Sequence, residues 1–389
     1  MSRIEDLHAN DWALPEEVVR RLVSPALVVD LARARRNVAT ILSLVGGPER
    51  WRPHVKTTKS PLLWRELVSR GVRQFKCATA REARALCALL ADGGGDVLLA
   101  HPAVGPTLTA LGELAHEFPS VSVAVISEDP GHVAEVPAEV GVFLDLDPGD
   151  HRTGLDLART DVALAIARAA GSRFRGVHYY EGRHHQPDLE ERRAACFSGY
   201  DELLTVLAEL RRAGVQIPEL VTSGTPGFRA ALAHPGLREL PGTLHRVSPG
   251  TVVLHDVRSA EQNPDLELEP AAVVFTRVVS RPTATRLTCD AGSKSIAAEA
   301  GDPCALVLGH PRLVAKTPSE EHLPLEAVSG EAPARGSSLL LVPRHVCPTV
   351  NLAEAALFLD GERVLGVHPI AARAHDVLLS GPKSQASDR

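Results

Sequence analysis

Lys56 stands in the run Arg52-Pro53-His54-Val55-Lys56-Thr57-Thr58-Lys59, just after a short apolar-flanked stretch. A lysine that points into a cavity loses the water around its ammonium, a cost that must be met by a partner or by chemistry. Condensation with an aldehyde removes the charge and turns the amine into a covalent carrier. Far downstream the chain reads His345-Val346-Cys347-Pro348-Thr349-Val350-Asn351-Leu352. On a loop or extended strand, His345 and Cys347 would face the same way and chelate one ion. An imidazole nitrogen beside a thiolate favours zinc over magnesium or calcium.

Something must bring these distant segments together. Strand-like runs alternate with helix-like segments through the first two-thirds of the chain: Arg52 to Lys56, Gln74 to Ala78, Asp96 to Ala100, Val121 to Ile126, Val142 to Asp147, Phe174 to Tyr180, Glu219 to Thr222 and His245 to Ser248. That alternation predicts an α/β fold, a (β/α)8 TIM-type barrel. After roughly Leu254 the texture changes to Val/Thr/Leu-rich runs broken by Pro and Gly, with little helical periodicity until Asn351, which predicts a C-terminal, mostly-β domain. The expected division is a barrel over residues 25–254 and a β domain over residues 255–380, with residues 1–24 returning to pack on the latter. The polar end, Gly381 to Arg389, is expected to be loose.

Barrel enzymes keep their chemistry at the C-terminal ends of the strands. The candidate residues fall there in succession: Lys56; Thr79 and Glu82; Asp147 with His151-Arg152-Thr153-Gly154; Tyr180-Glu181-Gly182; Ser223-Gly224-Thr225; and Ser248-Pro249-Gly250-Thr251. The small residues Ser223, Gly224 and Thr225, with Ser248, Gly250 and Thr251 on the next loop, suit a phosphate that needs backbone donors and hydroxyls.

A chain of 389 residues with 44% apolar and 23% charged positions can bury a large core and hold more than one domain. A net charge of −6 gathers neither nucleic acid nor anionic lipid, so the expected partners are small molecules and further copies of the chain. Apolar runs such as Val97-Leu98-Leu99-Ala100 are too short to span a bilayer, and Met1-Ser-Arg-Ile-Glu-Asp lacks a signal peptide's apolar segment, so a cytoplasmic location is expected. The cysteines at 77, 87, 196, 289, 304 and 347 show no C-x-x-C spacing and do not read as a disulfide framework.

The segment around Lys56 resembles the Schiff-base lysine of the fold-type III pyridoxal-phosphate enzymes, and Pro343-Arg344-His345-Val346-Cys347-Pro348 resembles the metal pair of their D-threonine aldolase and D-serine dehydratase branch. Ser24-Pro25-Ala26-Leu27-Val28-Val29-Asp30 with Asn37, Phe75-Lys76-Cys77-Ala78-Thr79, Asp290-Ala291-Gly292-Ser293-Lys294 and Ser319-Glu320-Glu321-His322 extend the likeness over nearly the whole chain. The resemblance implies pyridoxal 5'-phosphate on Lys56, which would also act as a base. It implies Arg152 facing the cofactor's phenolic oxygen, Tyr180 touching substrate or ring, and a divalent ion, zinc or manganese, on His345 and Cys347. Two positions depart from the pattern. Ser248 stands where alanine racemases carry an arginine, and Thr58 where aldolases often carry a histidine.

The implied activity is a lyase acting on β-hydroxy-D-amino acids. The favoured outcome is aldol cleavage of D-threonine-like substrates to glycine and an aldehyde; the alternative is a D-serine dehydratase giving pyruvate and ammonia. A two-base racemase is disfavoured because Tyr179, Tyr180 and Tyr200 all lie in the barrel region, and a single-domain cofactor carrier because the second domain is present. His178, His184 and His185 are further candidate bases. A homodimer packed head to tail is implied by the same resemblance.

Overall fold

The structure, a computed structural model, describes Trp12 and residues 14–186 and 188–378. The expected loose end, Gly381 to Arg389, lies outside the described residues, as do residues 1–11. The first strand, β1 (Ala26–Asp30), runs directly into the helix Leu31–Val45. Asp30 caps that helix by accepting from the Ala32 amide at 2.8 Å, and Gly46, at a φ of 83°, closes its other end. Leu31, Ala34, Val38, Ile41 and Val45 recur at helical spacing and are buried.

Parallel strands β2 (Gln74–Cys77), β3 (Gly95–Leu99), β4 (Val121–Ser127), β5 (Gly141–Asp147), β7 (Phe174–Tyr179), β8 (Glu219–Thr222) and β9 (Leu244–Val247) are paired in that order, with the short β6 (Leu155–Asp156) at the end of β5. Alternate residues take opposite sides of the wall, as the pleat requires. Leu98, Ala124, Ile126, Phe143 and Val221 fill the lumen, whereas Val97, Leu99, Val123 and Val125 face the surrounding helices. The expected first strand, Arg52 to Lys56, occupies the gap between β9 and β2 as bridges rather than a regular strand. Trp51 pairs with Val247 and His54 with Lys76. The Arg52 amide donates to Val247 O at 3.0 Å and the Val55 amide to Lys76 O at 2.8 Å, so this stave closes the barrel. Pro53 lacks an amide hydrogen and interrupts the ladder between them.

The stave is held from below. Arg52 is fully buried and binds Glu219 at 2.7 Å and Asp96 at 2.5 Å. Arg175 reaches Asp96 at 2.6 Å, and Arg246 also pairs with Glu219.

The remaining strands are β10 (Ala272–Ser280), β11 (Arg286–Cys289), β12 (Ala305–Val307), β13 (Leu313–Ala315), β14 (Leu323–Ala327), β15 (Ser338–Pro343), β16 (Ala355–Asp360) and β17 (Arg363–Pro369). Pairing of β10 with both β11 and β15 closes β10 to β15 into an antiparallel barrel. Val278, Leu287, Cys289, Ile296 and Leu341 lie in its core. β1 joins this sheet, antiparallel to β10 and parallel to β16. Val18, Val19 and Leu22 pack on Val28, Val273 and Phe275 of the same sheet. No helix among the described residues is long and apolar enough to cross a membrane.

Candidate active site

Lys56 leaves the barrel wall in the turn that follows the His54–Lys76 bridge. The residues that follow it pin that turn. Lys59, at a φ of 45°, forms a buried ion pair with Glu82 at 2.5 Å, and Glu82 also accepts from the Ala78 amide at 2.7 Å. The Ala372 amide donates to Lys59 O at 3.1 Å, tying the turn to the residues beyond β17. Thr58 faces the core and accepts a hydrogen bond from Trp64 Nε1 at 2.8 Å. Thr57 faces the other way, its Oγ1 3.1 Å from Cys347 Sγ.

That contact joins the two segments that the sequence singled out, across 290 positions of chain. The sequence reading expected His345 and Cys347 together on a loop or extended strand; only His345 is so placed, and Cys347 is helical. His345 precedes the helix Val346–Leu352 and Cys347 is its second residue. Pro348 suits a first turn, where an amide hydrogen has no intrahelical partner. Asp256, buried, accepts from the Val346 amide at 2.9 Å and from the Ser259 amide at 2.8 Å, and so docks this helix against Val257–Gln262. His345 Nδ1 lies 2.5 Å from Glu299 Oε1, which fixes the ring. Burial alone would lower the pKa of His345, but the Cys347 hydrogen bond and charge, Asp256 and Glu299 outweigh it and raise it to about 9. Burial likewise pushes the Cys347 thiol up, yet the neighbouring His345 brings it below the ordinary cysteine value. Among the described residues, no group of three His, Cys, Asp or Glu gathers as a metal cluster.

The pair opens on a cavity of about 180 Å³ whose wall includes His54, Lys56, Tyr180, Gly224, Thr225 and Gly250. Ser248 and Thr251 also line it; Ser248 Oγ donates to Arg52 O at 2.7 Å, and Thr251 Oγ1 lies 3.5 Å from Cys347 Sγ. Thr225 Oγ1 is buried there without a hydrogen-bond partner. Arg152 borders an adjoining recess that shares Tyr180 and Gly182, its guanidinium carbon 4.9 Å from the Tyr180 ring centroid. Asp147 shapes the approach to Arg152 by accepting from the amides of Gly149 at 2.9 Å and Asp150 at 2.8 Å.

Ser223 differs from expectation. Its side chain is fully buried and bonds Thr222 Oγ1 and Tyr200 Oη, while its amide donates to Glu181 Oε2 at 3.2 Å, so it holds the loop and does not line the cavity. His178, His184 and His185 are also absent from the cavity wall, and His178 sits in the barrel lumen. His54 takes the place on the wall. Burial first, and then Lys56, Lys76 and His178, hold its pKa well below the usual histidine value. Sequence reasoning missed Asp256, Arg258, Ser259 and Gln262, which line the cavity from the short helix after the barrel. The cap residue Asp256, three before Ser259, was the one available signal.

The chain matches two family models, "Alanine racemase, N-terminal domain" over residues 29–254 and "Putative serine dehydratase domain" over residues 271–359. It is 28% identical to a D-threonine aldolase of Arthrobacter sp. over 376 residues, covering 93% of this chain and 95% of that protein. It is 27% identical to a 3-hydroxy-D-aspartate aldolase of Paracoccus denitrificans over 377 residues, with the same 93% and 95% coverage. Among solved structures, the D-threonine aldolase of Filomicrobium marinum superposes with a TM-score of 0.80 at 26% identity, covering 90% of this chain and 96% of that one.

Proposed function

Because the chain belongs to the alanine racemase N-terminal domain family, within the pyridoxal-phosphate enzymes of fold type III, we propose that it is a metal-dependent lyase of β-hydroxy-D-amino acids. Its reaction is aldol cleavage of D-threonine-like substrates to glycine and an aldehyde. The observation that carries this reading is the 3.1 Å approach of Cys347 Sγ to Thr57 Oγ1, which sets a His–Cys pair beside the lysine turn in one cavity.

The cavity fits the cofactor. The unsatisfied Thr225 hydroxyl is a donor in search of an acceptor, and Gly224 with Gly250 brings backbone close to the same space. Gly224, Thr225, Gly250 and Thr251 would hold the phosphate, with Ser223 keeping the loop in shape. Lys56 would carry the aldehyde and, once free, hold a proton at Nζ. Arg152 would face the phenolic oxygen, and Tyr180 the ring or substrate. Ser248 has already given its hydroxyl proton to Arg52 O, so it offers the pyridine nitrogen only lone pairs.

The donor set fits a divalent ion as well: a thiol biased towards thiolate beside a histidine that gives up its proton when an ion binds, with water and substrate left to complete the shell. When bound, the cofactor supplies an electron sink for the electron pair left at Cα, and the ion supplies Lewis acidity at the substrate's β-oxygen. Zinc suits the cysteine better than manganese does. With lysine and metal pair on fixed walls, one enantiomer at Cα can satisfy both.

The test is to incubate the purified protein with D- and L-threonine, D-phenylserine, D-serine and 3-hydroxy-D-aspartate, and to quantify glycine and ammonia. Glycine with aldehyde from D-substrates alone is expected. Ammonia without glycine would move the assignment to dehydration, and equal rates on D- and L-threonine would remove the metal-set geometry. The same preparation in sedimentation should run as the proposed homodimer.

A further inference from the structure

One buried group in the barrel has no part in the chemistry above. Lys76, on β2, is 2% exposed, and its Nζ lies 3.3 Å from His178 Nε2 on β7. His178 Nδ1 in turn lies 2.6 Å from Asp145 Oδ1 on β5, a residue directly paired with it across the two strands. Asp145 accepts, so Nδ1 carries the imidazole proton and Nε2 presents its lone pair to the lysine. The neutral ring thus bridges the carboxylate and an ammonium just above the apolar lumen.

That ammonium sits 5.2 Å from the centroid of the Tyr180 ring, with the Arg152 guanidinium 4.9 Å from the same ring. The ring's edges are fitted closely: a Cβ at Gly182 would come within 2.5 Å of Tyr180, and one at Gly224 within 2.8 Å. Tyr180 therefore stands between two cations and the phosphate-loop glycine. We propose that Lys76, supported by His178 and Asp145, is the positioning residue of Tyr180, and that the cavity takes up the phosphate-bearing cofactor well only while Lys76 carries its proton. The part that concerns the cofactor rests on the functional reading above; the part that concerns the ring does not.

Burial foremost, and the nearby positive Lys56 next, bring the Lys76 pKa down to about 7, while Glu181 and Asp145 raise it and Arg152 lowers it. His54, bridged to Lys76 from the opening stave, is the remaining titratable neighbour, and burial first, then the charges facing it, keep it neutral. The charged form of Lys76 is accordingly present below about pH 7 and lost above it.

With three tyrosines in the chain, ring-labelled tyrosine can be followed by NMR in the cofactor-free protein, with Tyr180→Phe identifying its signal. The Tyr180 ring signal should titrate near neutral pH. Lys76→Met, close in shape and uncharged, should abolish that titration, and Asp145→Asn should move it to lower pH. Pyridoxal phosphate affinity, measured for both proteins across the same range, should fall roughly five- to tenfold from pH 6 to 9 in the wild type beyond any change in Lys76→Met, the worth of one buried cation–ring contact. A Tyr180 titration that survives Lys76→Met, or an identical pH dependence of affinity in both proteins, overturns the proposal. If the ring titrates as expected but the protein takes up no pyridoxal phosphate at any pH, the lyase reading fails and the role of Lys76 at the ring stands.

Discussion

Replacing Gly250 by alanine should cripple the site while leaving every reactive side chain intact. The glycine has a φ of −117° and a ψ of −41°, open to any residue, so its identity is not a matter of backbone strain. The constraint is contact. A Cβ at Gly250 would lie 2.2 Å from His54 O and 3.2 Å from His54 Cβ. Ordinary non-bonded carbon contacts are about 3.5 Å, so the two segments must part by roughly 1 Å. His54 is two residues before Lys56 and anchors the stave on Lys76, so the displacement passes directly to the lysine turn. A misplacement of that size costs on the order of 100-fold in rate. The accompanying overpacking costs about 1–3 kcal/mol of stability. Steady-state kcat/KM on D-threonine, with a denaturant melt on the same sample, would read both. A Gly250→Ala protein with wild-type stability and kcat/KM within about threefold of normal would show that the loop yields freely and that the close approach positions nothing.

Lys56→Ala should remove both turnover and the visible-edge absorbance that borohydride discharges in the wild type; a colourless wild type that takes up no pyridoxal phosphate would end the cofactor assignment. His345→Ala should keep that absorbance while losing most turnover, chelation should do the same, and zinc or manganese should restore the chelated wild type; an unchanged rate after chelation would exclude a catalytic ion. Arg52→Met should cost about 1.5–3 kcal/mol in a denaturant melt, because it removes the fully buried partner of Glu219 and Asp96 and leaves each with a single, more exposed arginine. Asp96 has its pKa raised by burial but brought below the usual value on balance by Arg52 and Arg175. Its contribution is therefore present above the unfolded carboxylate range and lost as pH falls through the lower folded value. Arg52→Met should flatten that acid limb, and an unaltered acid limb would show that the network does not carry it.

Periodicity made the barrel legible because buried parallel strands and amphipathic helices leave opposite signatures, and Lys56 and His345–Cys347 stood out because few residue types can do their chemistry. Ser223 misled because small residues after a strand look alike whether they face a ligand or brace a loop; only the carboxylate of Glu181 and the hydroxyl of Tyr200 decide which. The helix that holds Cys347 was hidden because seven residues with a proline near the start carry too little periodicity to declare themselves. The roles of Asp256 and Lys76 lie in partners 90 and 102 positions away, and no local pattern encodes those distances; the cap spacing of Asp256 to Ser259 marks a helix start and no more.

The placement of β1 sets the order in which this protein can assemble during synthesis. Its two neighbours, β10 and β16, leave the ribosome some 240 and 330 residues after it, so an early strand with both edges unsatisfied must wait while the barrel forms beside it. The helix bearing Cys347 comes immediately before β16 and arrives with the strand that covers the second edge. Long-range pairing of this kind is slow to reach. The nascent chain therefore gains both the Ala372 tie on its lysine turn and the His–Cys pair only as the last strands dock, so the cavity cannot be walled on both sides before the sheet that shields β1 has closed.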